Sequence, residues 1–137
     1  MNYWLLKTEP DTYSWDDQVK KGTEPWSGVR NFRARSNLQA MKKGDKAFFY
    51  HTGDEKQIVG IVSVTREAYP DPSDKDGTFV MVDVKAVQPL KTPVTLKQVK
   101  ETKELADMEL VRVSRLSVQN VTPEAWKRIC KMGGVKA

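Results

Sequence analysis

Trp26 lies in the run Pro25-Trp26-Ser27-Gly28, just ahead of Arg30, Arg33, Arg35, Lys42 and Lys43. Between Pro25 and Gly44 those five cations meet no acid, and their charge equals the net +5 of the whole 137-residue chain. An aromatic ring held on a turn beside cations can stack a nucleobase while the cations meet its phosphates. The same charges also fit a solvated helix face. Asn31 can address a base edge through its amide or cap the helix that follows it. His51 ends the aromatic run Phe48-Phe49-Tyr50. It can serve as a general base, as a stacking ring or as a structural histidine.

Other chemistries are poorly supplied. The chain has one histidine and one cysteine, His51 and Cys130. That excludes an internal disulfide framework and any multi-cysteine metal site, so no metal and no cofactor are expected. No glycine-rich phosphate loop and no internal repeat occur. Lys7, Thr8 and Glu9 offer a base, a hydroxyl nucleophile and an acid in succession. Neighbours in a strand point to opposite faces, so the three do not converge without a bend at Pro10. Asp16-Asp17 and Asp54-Glu55 are adjacent acids that do not face one another.

Those residues need positioning elements. Hydrophobic residues make up 39% of the chain and charged residues 30%, the balance of a soluble globular protein of one domain, residues 1–137. No apolar run approaches the ~18 residues of a spanning helix, and Met1–Lys7 lacks the basic start of a secretory signal. A cytoplasmic location is expected, nucleoid-associated or nuclear according to the cell. Tyr3–Lys7 reads as an aromatic-rich strand. Ser14 caps a short helix that Gly22 ends. Asn31–Lys43 reads as a helix closed by Gly44, with Ala34, Leu38 and Met41 on one stripe. Strands are predicted at Asp45–Thr52, Gln57–Tyr69 and Phe79–Val87, the first two joined as a hairpin, and Pro89 and Pro93 break the last pattern. Thr95 caps a helix through Lys100, Leu105–Leu110 makes another helical turn, and Arg115–Val118 reads as a last strand. Thr122-Pro123 opens a helix through Ile129. This order suggests an α+β domain with a small curled or closed sheet and peripheral helices.

Several motifs in fixed order resemble the EVE domain family. They are Tyr-Trp-Leu-Leu-Lys-Thr-Glu-Pro at 3–10, Tyr13-Ser14, Trp-Ser-Gly-Val-Arg-Asn at 26–31 and Ala34-Arg35. Gly44-Asp45, Phe49-Tyr50-His51-Thr52, Gly60-Ile61-Val62, Tyr69-Pro70-Asp71-Pro72 and Ser-Arg-Leu-Ser-Val at 114–118 follow. Similar sequences often carry Ser where Thr8 and Thr52 stand, and Thr keeps the hydroxyl. The resemblance implies a PUA-like β-barrel of five or six strands, related to YTH and ASCH domains. It also implies a base pocket built from Lys7, Thr8, Trp26, Ser27, Gly28, Asn31, His51, Thr52 and Ser117. Its phosphate rim would be Arg30, Arg33, Arg35 and Arg115. Lys7-Thr8 and Trp26-Ser27 are similar to the Lys-Ser and Trp-Ser pairs of YTH domains. The other cage aromatics of that family have no match here, so modified cytosine in DNA is the closer analogy.

The expected function is therefore non-enzymatic binding of nucleic acid, DNA or RNA, through a modified base turned out of its stack. Truncating Trp26 to Ala should weaken binding and leave the fold. The alternative is an ASCH-like hydrolase of a modified nucleobase or nucleoside using Lys7, Thr8 and Glu9. A protein-interaction module is the third reading, and salt-sensitive oligonucleotide binding separates it from the other two.

Overall fold

The computed structural model describes all 137 residues. Six strands form one mixed sheet: β1 (Tyr3–Thr8), β2 (Thr23–Pro25), β3 (Lys46–His51), β4 (Gln57–Pro70), β5 (Val80–Thr95) and β6 (Val118–Val121). Their order across the sheet is β2-β5-β4-β3-β1-β6. Only β1 and β3 run parallel; every other pairing is antiparallel. Five α-helices surround the sheet: α1 (Trp15–Lys21), α2 (Phe32–Ala40), α3 (Leu96–Glu101), α4 (Glu109–Arg112) and α5 (Pro123–Met132). None is long and apolar enough to cross a membrane.

Strand alternation divides the core in two. Trp4, Leu6, Ala47 and Phe49 face one side, where Trp15 of α1 and Ala34 and Leu38 of α2 cover them. Leu5, Phe48 and Tyr50 face the other, against Val99 of α3, Leu110 of α4 and Trp126 of α5. Burial on both faces explains why Trp4–Leu6 and Ala47–Tyr50 read as continuous apolar runs. Trp126 is sandwiched between Tyr3 and Phe48, with ring centroids 4.5 and 3.9 Å away.

Closure into a barrel does not occur. β2 and β6 stand at opposite edges of the sheet and do not pair. β2 has three residues and ends in Pro25, which has no N–H to donate. The β6 edge is met instead by α2, whose Asn37 Nδ2 donates to the Val118 carbonyl at 2.7 Å. A covering helix thus replaces a closing strand.

Several boundaries also differ from the sequence-based expectation: β2 is not anticipated, the helical turn expected at Leu105–Leu110 is split between a 3-10 turn at Lys103–Leu105 and α4, and α5 runs past Ile129 to Met132. α2 ends at Ala40, short of Lys43, because Met41 turns into the core at 0% exposure and the Lys42 amide donates to Asp45 Oδ2 at 3.0 Å. The same buried carboxylate accepts from the Trp4 indole and the Asn2 amide, tying the chain start to this turn. β5 runs on through Pro89 and Pro93 to Thr95; Pro89 pairs with Gly60 where the register shifts, a place that tolerates a missing donor. The last strand begins at Val118 rather than Arg115, since its register is set by Leu6 of β1.

Candidate functional site

A cavity of about 590 Å³ opens where the end of β1, the Thr12–Tyr13 turn, β2 and the loop before β5 meet. Trp26 forms its aromatic wall. The Trp26 amide donates to the Val82 carbonyl at 2.7 Å, so the ring is set by the sheet edge. Its edges press on Tyr13 at 6.0 Å and Phe49 at 5.5 Å, both near perpendicular, and only 8% of the residue is exposed. Tyr13 is locked in turn. Its hydroxyl donates to Gln18 Oε1 at 2.9 Å, and the buried Gln18 amide donates to the Gly22 and Val84 carbonyls. Burial, with the charges of Glu24 and Asp17, pushes the Tyr13 phenol up to about 12. It is therefore a neutral wall that carries no charge at physiological pH.

The opposite rim hangs on Asp71, 1% exposed. Its carboxylate accepts from the Gly28 amide at 2.8 Å, the Ser73 amide at 2.8 Å and the Ser73 hydroxyl at 2.6 Å, with Arg30 3.4 Å away. Burial pushes this carboxyl up, but those donors outweigh it and leave it below the usual value of 3.8. Gly28 sits at φ 83°, a conformation that favours glycine and aims its amide at Asp71.

Of the residues expected in a base pocket, Lys7, Thr8, Trp26, Ser27, Gly28 and Ser117 line this cavity, together with Arg30 from the expected rim. Asn31, His51 and Thr52 do not. Asn31 caps α2, its Oδ1 accepting from the Ala34 amide at 2.9 Å. His51 Nε2 accepts from the Trp15 amide at 3.0 Å and so holds the start of α1, while its Nδ1 lies 2.9 Å from Glu55 Oε1 of the β3–β4 loop; both ring nitrogens are engaged. The Thr52 hydroxyl turns to the Thr8 carbonyl and the Glu9 carboxylate.

The rim is likewise divided. Arg33 pairs with Glu109 of α4, and Arg35 donates to the Thr78 carbonyl at 3.1 Å. Neither lines the cavity. Arg115 is exposed in the turn before Ser117. The Lys7 ammonium donates to the Ser114 carbonyl, and burial lowers its pKa below 10.5.

Tyr13, Glu24, Asp71 and Met81 also line the cavity and were not anticipated there. Tyr13 and Asp71 stood in the motifs, yet nothing local placed them together, since 58 positions separate them. Glu24 is flanked by Thr23 and Pro25, a context without a signal.

Lys7, Thr8 and Glu9 diverge. The amine turns to Ser114, the Thr8 hydroxyl donates to the Tyr13 carbonyl at 2.8 Å, and the Glu9 carboxylate meets Thr52. Cys130 lies in the far core cluster, where burial pushes its thiol up to about 11 although Lys46 partly offsets this.

An open mixed sheet with helices on both faces is an α+β architecture shared, as fold alone, with an ASCH protein from Zymomonas mobilis. That protein is 13% identical, with a TM-score of 0.61 and coverage of 96% of this chain and 95% of the other. The chain belongs to the EVE domain family, whose model matches residues 2–132. A protein from Rhodopseudomonas palustris solved by NMR is 58% identical with a TM-score of 0.93, over 98% of this chain and 94% of the other. The human THYN1 protein, solved in complex with 5-methylcytosine-containing DNA, is 31% identical with a TM-score of 0.91 over 100% of both chains.

Proposed function

We propose that residues 1–137 act as one domain that binds DNA and takes a modified cytosine, turned out of its stack, into the Trp26 cavity. The observation that carries this reading is the cavity itself. Its volume of about 590 Å³ lies within the usual range for small-ligand sites, and Trp26, Tyr13 and Met81 give it apolar walls. The crystallised chain of human THYN1, to which this chain is similar over its full extent, is seen with 5-methylcytosine-containing DNA. In this chain the Glu24 carboxylate, paired with Lys21 through Oε2, offers Oε1 as an acceptor for the exocyclic amine of cytosine, and the Ser27 and Ser117 hydroxyls can address its remaining edge. Arg30 on the cavity lining and the exposed Arg115 supply cations for the flanking phosphates. A 5-methyl group adds about 0.8 kcal/mol when buried, which corresponds to a roughly four-fold preference over cytosine.

The divergence of Lys7, Thr8 and Glu9 supports binding over hydrolysis, because a nucleophile needs its base within hydrogen-bond reach. Fluorescence anisotropy with duplexes carrying one 5-methylcytosine or one cytosine, at fixed salt, tests the reading. Mass spectrometry of the recovered DNA completes the test. Tighter binding of the methylated duplex with unchanged mass is expected. Equal affinity, or a mass change lost in Lys7→Ala, overturns it.

A further inference from the structure

Phe32 is the first residue of α2 and is 62% exposed, the most open aromatic ring in the protein. It packs against two neighbours. The Arg35 guanidinium lies 5.0 Å from its ring centroid, and the Phe79 ring packs against it at 5.3 Å with a tilt of 35°. Phe79 is covered by the Arg30 guanidinium at 5.6 Å. Arg30 lines the Trp26 cavity and is itself fixed by the Ser73 hydroxyl at 2.8 Å. The chain of contacts from cavity to Arg30 to Phe79 to Phe32 therefore connects a mostly exposed ring to the cavity lining. Arg35 adds a buried Nε with no partner, while one of its outer nitrogens is held by the Thr78 carbonyl.

Nothing in the chain covers the outer face of Phe32, and its surroundings select the occupant. The segment from Pro25 to Gly44 has no acid, and two guanidinium groups flank the two rings. Arg30 is paired with Asp71, but Arg35 makes no ion pair, and its charge beside the open Phe32 ring suits a polyanion with flat apolar surfaces inside it. Turning a base out of a duplex bares the faces of its neighbours at a cost of a few kcal/mol. Apolar side chains that insert between base steps cover such faces.

We propose that Phe32 is a wedge: it enters the duplex stack beside the base held in the cavity and covers the neighbours that base leaves bare. Arg30 and Arg35 hold the wedge pair in place and face the phosphates on either side. This rests on the cavity reading above. The wedge does its work only where a stack has to be opened, so its contribution belongs to duplex DNA and not to a single strand.

The test compares wild type, Phe32→Ala and Phe32→Trp on duplex and single-stranded oligonucleotides of one sequence, each carrying either one 5-methylcytosine or cytosine in its place. Phe32→Ala is expected to weaken duplex binding roughly ten-fold, the scale of one lost stacking contact, and single-strand binding less than about two-fold. Phe32→Trp should restore the duplex affinity. Because the ring is mostly exposed, thermal melting should be nearly unchanged in both variants. Equal losses on both DNA forms, or no loss on either, overturn the wedge while leaving the cavity reading intact. A wild type that fails to prefer 5-methylcytosine in either form overturns the cavity reading and the wedge with it. A dimer seen by sedimentation that Phe32→Ala dissolves, with DNA affinity unchanged, assigns the ring to a second copy and also overturns the wedge.

Discussion

Trp26 presents 8% of its surface to solvent, and its two perpendicular contacts, with Tyr13 and Phe49, belong to the core. Removing the ring therefore removes packing as well as the cavity wall. Trp26→Ala is expected to lose about 3 kcal/mol of stability in urea unfolding, in the range of large buried truncations. This replaces the expectation that the fold would be indifferent to the change. Trp26→Phe keeps an aromatic core and is the variant that isolates the wall; it should weaken oligonucleotide binding while its melting temperature falls by only a few degrees. The burial was not legible from the Pro-Trp-Ser-Gly turn, because Phe49 and Tyr13 reach Trp26 from other segments. His51 makes the same point. Its residue type offered three roles, and the Trp15 amide, 36 positions away, selected the structural one.

At the scale of elements, the loop before β5 is fastened by one buried carboxylate. Asp71→Asn keeps the shape and removes the charge that four donors address. It should cost about 2 kcal/mol, the scale of hydrogen bonds to an ionised group. The sign of its pH dependence follows from the lowered pKa. Stabilisation is fully present above the ordinary value of 3.8 and is lost as pH falls through the depressed folded value. The melting-temperature gap between wild type and Asp71→Asn should therefore hold steady from neutral pH downward and narrow only below 3.8. A second element contact is the crossing of α1 over β4. A Cβ at Gly60 would lie 2.6 Å from the Trp15 ring, with nowhere for that buried indole to go. Gly60→Ala should cost about 1–3 kcal/mol by chemical denaturation, as overpacking does. The Gly60-Ile61-Val62 motif was visible in the sequence, but the helix that presses on it was not.

Over the whole molecule, the excess charge of +5 is less free than its count suggests. Arg33 is paired with Glu109, whereas Arg115 is exposed and forms no ion pair. Arg115→Gln should reduce the slope of log affinity against log salt by about 1, and Arg33→Gln should reduce it by less, in titrations of one duplex across a salt series. The sequence by itself determined the features that act over three or four residues. Ser14, Asn31, Thr95 and Thr122 each accept from the backbone amide three positions on, so these four of the five α-helix starts were readable locally, whereas α4 starts without a side-chain cap. The ordered motifs were likewise enough to identify the family. Tertiary structure alone decided which of those residues share a cavity. Gly28 meets Asp71 across 43 positions and Lys7 meets Ser114 across 107, contacts set by strand register and loop path rather than by neighbouring residues. It also decided that the sheet stays open, since a helix reaches the β6 edge where a strand would have closed it. Local hydrogen bonds are written in local sequence; long-range register emerges only when two buried faces are packed at once.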